Sequence, residues 1–130
     1  MYDLLKSIAE NNDWVFEYGR EDFLNLNNNM EPNKIYLFVQ PIEIDSRFSD
    51  AGIESQTYNV KLMLVIPSNL SETYQFRYEN YIKPLLDDSK KLIIDGINCN
   101  NLDIQFLKTI EVINYFDFNA DGLIINLSAK

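Results

Sequence analysis

Hydrophobic and polar positions follow two periods along this chain. Leu4, Leu5 and Ile8 share one helical face, with Asp3, Lys6, Ser7 and Glu10 elsewhere, which predicts a short amphipathic helix over residues 2–11. Asn11, Asn12 and Asp13 end it, and WVFEYG reads as a strand stopped by Gly19. Residues 20–34 are polar and irregular, with Asn27-Asn28-Asn29 inside them and a turn at Pro32-Asn33. KIYLFVQPIEID is rich in strand formers. Pro41 cannot donate to a ladder, so it predicts an edge position or a bulge. Past it, Ile42 and Ile44 alternate with Glu43 and Asp45. QTYNVKLMLVIP predicts a second long strand with Tyr58, Val60, Leu62, Leu64 and Ile66 on one face and Asn59 and Lys61 on the other. Together the two strands predict a long β-hairpin whose acidic tip, residues 43–56, projects from the core.

Ser71 is a good N-cap, and Glu72 beside it suits the helix dipole. Tyr74, Tyr78, Tyr81, Ile82 and Leu85 then form one apolar stripe at helical spacing, interrupted by Pro84, which predicts a kink. The stripe reads as core. Farther on, Ile104, Phe106, Ile110 and Val112 face one way and Gln105, Thr109 and Glu111 the other, while Leu123, Ile125 and Leu127 share a face of a last strand. Strands joined by hairpins, with two helices, predict an α+β fold: a mostly antiparallel sheet, two helices packed on one face, and the long projecting hairpin. At 130 residues, 46% of them hydrophobic, the chain has the size and apolar content of a single domain spanning 1–130.

Charge narrows the function. The net charge is −9, and residues 1–60 carry eleven acidic against four basic side chains. Such a chain repels nucleic-acid phosphates, so no specific nucleic-acid binding is expected. There is no histidine, which removes the commonest general base, the usual triads and the commonest zinc ligand. Cys99 is the only cysteine, so neither an intrachain disulfide nor a cysteine metal cluster can form. The first twelve residues lack the apolar core of a signal peptide. The longest apolar run, residues 62–66, is far short of the roughly 20 residues that span a bilayer. No membrane partner is expected, and synthesis in a cytoplasm is.

One motif points to a metal. NYFDFNADGLIINL contains Asp117, Asn119, Asp121 and Gly122, the opening of a calcium-loop pattern. An EF-hand loop also needs a carboxylate at its twelfth position and a helix on either side. The twelfth residue here is Ser128, and both flanks alternate with period two. No metal site is expected, and Asp121-Gly122 reads instead as a hairpin turn.

This segment resembles one in small structural proteins of tailed phages. A C-terminal hairpin with Ile110, Val112, Tyr115, Phe116, Asp117, Asn119, Asp121 and Gly122 in this pattern is similar to theirs. The order of elements also resembles the tail-terminator and tail-completion (head–tail connector) proteins: short helix, long hairpin, second helix, hairpin. The resemblance implies a non-enzymatic virion protein forming a ring, usually a hexamer, at the neck or tail-tube end. It implies contacts with tail-tube and neck proteins and a negative lumen through which DNA slides.

On that reading, Ile42, Ile44, Phe48 and Ile53 on the arm, residues 42–57, are candidate subunit contacts, and the polar loop 20–34 is a second candidate surface. Glu43, Asp45, Asp50 and Glu54 are candidate lumen- or partner-facing acids. A different reading of the same acidity is a small binding module, such as an immunity protein that neutralises a basic toxin, held one-to-one by charge complementarity. An enzyme has little support: the paired carboxylates Asp87-Asp88 and Asp117 with Asp121 come without a phosphate loop, a nucleophile elbow or a ligand cluster. No catalytic residues and no cofactors are assigned.

Overall fold

The structure, a computed structural model, describes residues 1–24, 30–117 and 119–130. Asn27-Asn28-Asn29 of the expected polar loop therefore lie outside the described residues. Helix α1 (Tyr2–Asn11) leads into strand β1 (Val15–Tyr18) and a one-turn helix α2 (Glu21–Leu24). Strands β2 (Tyr36–Val39), β3 (Glu43–Phe48) and β4 (Glu54–Pro67) follow. A continuous helical run then covers 74–98: α3 (Tyr74–Arg77), two π-helical segments (Tyr78–Ile82 and Leu85–Ser89), and α4 (Lys90–Asn98). Strands β5 (Ile104–Tyr115) and β6 (Ala120–Ala129) close the chain. The α+β class holds.

The six strands make one sheet in the order β1-β2-β4-β6-β5, with β3 also on β4. Every pairing is antiparallel except β1 with β2, which is parallel. Strands β2 and β3 lie in line on the same edge of β4. Val39 pairs with Leu62 and Glu43 with Asn59, so one extra residue sits between them, at the proline predicted to make a bulge.

Helix α1 and the 74–98 run pack on the same face of the sheet. Leu5, Ile8, Ile82, Leu85, Ile93 and Ile97 meet Leu37, Val60, Leu62, Leu64, Leu123 and Ile125 in the main core. The other face is not bare, as a sheet covered on one face would have it. Tyr36, Phe38, Met63, Val65 and Ile124 form a second cluster, capped by Leu24, Met30, Tyr115 and Phe116. The central strands are apolar at successive positions (YLFV, LMLV), the mark of burial on both sides.

Three local expectations are corrected. The helix cap is Thr73, whose hydroxyl accepts from the Phe76 N–H at 3.2 Å. Ser71 is instead held in a turn by the Asn69 side chain. The tyrosine stripe is not core at its start: Tyr74 is 68% exposed, and Tyr78 is also exposed. The buried row runs Arg77, Ile82, Leu85, Ser89, Ile93, Ile97. Its first step is five residues, the stride of the π turn beside Pro84, where the missing proline N–H breaks the α ladder. The run then continues well past Leu85. Finally, Ile104 and Phe106 do not share a face, because a register shift between them turns Phe106 outward while Ile104 and Leu107 pack on the main core.

Candidate subunit interface

The β3–β4 ladder extends beyond the rest of the sheet. Strand β4 pairs with β6 only from Tyr58 to Pro67, so residues 54–57 have β3 as their only partner strand. Every residue of β3 is exposed. The tip is closed by Gly52, at φ +76°, whose N–H donates to the Ser49 carbonyl at 2.8 Å, while Ser49 N–H reaches Ile53 O at 2.9 Å. Left-handed φ values of this kind favour glycine.

Opposed residues in an antiparallel pair point to the same side, which sorts the arm into two faces. One carries Ile44, Ser46 and Phe48 opposite Tyr58, Gln56 and Glu54. The other carries Glu43, Asp45 and Arg47 opposite Asn59, Thr57 and Ser55. Tyr58 packs on the main core, so the first face continues the helix-covered side of the sheet, but without a helix over it.

Three of the four candidate contacts lie open: Phe48 is 69% exposed and Ile53 70%, with Ile44 also exposed. Ile42 does not join them. It lies where that face still meets the main core, and is partly buried against it. The four acids also divide. Glu43 and Asp45 share the polar face, where Asp45 accepts from the Asn59 amide at 2.7 Å. Glu54 lies on the apolar face, and hydrogen bonds from Ser46 and then Gln56 hold its carboxyl below the usual carboxylate range. Asp50 is at the exposed tip.

The calcium-like motif has another purpose. Asp121 is fully buried, and its carboxylate receives Arg77 Nε at 2.7 Å and Nη2 at 2.6 Å, plus the Asn114 N–H at 3.0 Å. Arg77 Nη2 also donates to Ser68 Oγ at 2.8 Å and to the Asn114 side-chain oxygen. The buried guanidinium therefore ties the helix start, the end of β4 and the β5–β6 hairpin together. Asp121 and Gly122 lie within β6 rather than in its turn. The left-handed turn residues are Asn114, Phe116 and Asn119. Gly122 serves close packing: a Cβ there would meet the Leu64 carbonyl and stand 2.8 Å from Val65 Cα. Among the described residues, no three acidic or cysteine side chains are placed to hold a metal ion.

A second network joins α2 to the sheet. Glu21 accepts from the Tyr115 hydroxyl, from Lys61 at 3.2 Å and from Gln40 at 3.3 Å. The Tyr115 bond, more than Lys61, holds the Glu21 carboxyl below its usual range, and Glu21 in return pushes Tyr115 up to about 12. Neither Arg77 nor Glu21 carries a sequence signal of its role, since each becomes a partner only when distant strands meet.

No helix among the described residues is long and apolar enough to cross a membrane. The chain matches no family model and no curated protein.

Proposed function

We propose that this protein is a non-enzymatic structural protein of a tailed-phage virion that assembles with copies of itself into a ring, a hexamer, at the neck or tail-tube end. The observation that carries the reading is the arm. Ile44, Phe48 and Ile53 are exposed together on a two-stranded extension that a lone monomer has no use for. The order of elements resembles that of tail terminators and completion proteins, and the acids at positions 43, 45 and 50 suit a surface along which DNA slides or a basic neighbour binds.

Native mass spectrometry over a concentration series tests this. A discrete closed oligomer is the expected result, and the Phe48→Ser/Ile53→Ser double variant is expected to stay monomeric with unchanged circular dichroism. Assembly that persists in the double variant removes the arm from the interface. A protein that stays monomeric throughout overturns the ring.

The net charge of −9 favours one other reading, a one-to-one binder of a basic protein such as a toxin. Its mark is a heterodimer whose association rate falls steeply with salt.

A further inference from the structure

The arm and a polar hollow lie at opposite ends of β4. The arm leaves its first residue, Glu54, and the hollow opens just after its last, Pro67. Fourteen strand residues span about 43 Å at ~3.3 Å per step. An arm therefore cannot reach the hollow of its own copy.

The hollow has a volume of 330 Å³ and is lined by Leu70, Glu72, Thr73, Tyr74, Arg77 and Asn114. Its rim is apolar and open, with Leu70 61% exposed and Tyr74 beside it. Its floor holds an unmet need. Among the described residues Glu72 Oε2 is buried without a hydrogen-bond partner, and the Glu72 carboxylate beside the Tyr81 hydroxyl holds that phenol above its usual range. Among the residues lining the hollow, the cation is Arg77, which is committed to Asp121, Ser68 and Asn114. Glu72 lines the hollow, and the last torsion of a glutamate is soft.

The site thus calls for a cationic donor carried beside apolar side chains. Six of the chain's cations already pair with carboxylates: Lys6, Arg20, Lys34, Lys61, Arg77 and Lys83. Of the rest, only Arg47 lies on the arm, on the face away from Phe48, two residues before Ser49, which bonds Ile53 across the tip. Its guanidinium makes no ion pair among the described residues, and guanidinium is the cation best shaped for a carboxylate.

We propose that the arm of one copy docks end-on at this hollow of a second copy, with Arg47 donating to Glu72 and Phe48 and Ile53 packing on Leu70 and Tyr74. The contact is head-to-tail, because donor and acceptor surfaces differ, and such contacts close into rings when the rotation permits. This inference rests on the assembly reading above and names the receiving surface.

The test uses the full chain with Cys99→Ser. Asp50→Cys copies, which keep Arg47, are mixed with Ser71→Cys copies, which keep Leu70 and Glu72, under mild oxidation. The expected result is a disulfide-linked heterodimer, with each variant alone giving none. In parallel, Arg47→Glu and, separately, Glu72→Gln are expected to weaken self-association at least about tenfold while circular dichroism stays unchanged. An oligomer that forms as before in Arg47→Glu, without cross-links in the mixture, overturns this docking and leaves the ring reading standing. A wild-type chain that is monomeric at every concentration overturns both.

Discussion

Arg77 and Asp121 stand 44 residues apart in the chain and meet through two hydrogen bonds of 2.6 and 2.7 Å, both side chains shielded from water. The pair sits where the helix start, the end of β4 and the last hairpin converge. Two buried charges repay their desolvation only with good geometry and further hydrogen bonds, and Ser68 and Asn114 each accept one from Arg77 Nη2.

Removing one partner leaves the other charge buried and unpaired. Asp121→Ala is therefore expected to lower the unfolding free energy by about 3–5 kcal/mol, measured by urea denaturation. Replacing both, as Arg77→Met with Asp121→Leu, is expected to recover much of that loss. A single variant within about 0.5 kcal/mol of wild type would show that the pair does not hold the hairpin.

Gly122→Ala is expected to cost at least about 1–3 kcal/mol, because the new methyl meets strand backbone that cannot move aside. At Gly52 a Cβ meets nothing within 4 Å, and only the positive φ opposes it. Gly52→Asn is expected to be nearly neutral, since asparagine tolerates that region. Thermal unfolding of the two variants ranks them.

Thr73→Ala removes the helix cap and is expected to cost about 1 kcal/mol. Ser71→Ala keeps the cap and is expected to cost less, which chemical denaturation of the two variants compares directly.

Tyr115 supplies a pH dependence. Its folded value of about 12 lies above the ordinary 10.0, so its contribution is whole below pH 10 and is lost as pH rises through 12. Glu21 runs the other way. Its lowered value gives stability that is present above its ordinary 4.5 and lost as pH falls. Tyr115→Phe is expected to flatten the alkaline loss and return the Glu21 titration toward 4.5, followed by stability curves against pH and by carboxyl NMR shifts. An alkaline limb as steep in the variant as in wild type would assign the loss to another group.

What could be read from residues alone was what depends on near neighbours. The helix over 2–11, the strand ending at Gly19, the break at Pro41 and the alternation of Leu123, Ile125 and Leu127 all follow from periods and from proline's missing donor, and the structure has each. A mostly antiparallel sheet with two helices on one face followed from the order of those elements.

The rest depended on which distant residues meet. Asp121-Gly122 looks like a turn in any short window; only the register of β6 against β4 shows a buried anion and a gap too small for a methyl. Ile42 looks the same as Ile44 by alternation and shares its face, but Ile42 lies where that face still meets the main core, while Ile44 stands farther out on the arm and is exposed. Tyr74 looks like core until a π turn moves the buried row onto Arg77 and Ile82. Local chemistry sets period and breaks, because each acts within a few bonds. Burial, ion pairing and the face a side chain takes are set by packing between strands far apart in the chain, where a shift of one residue reverses every side chain after it.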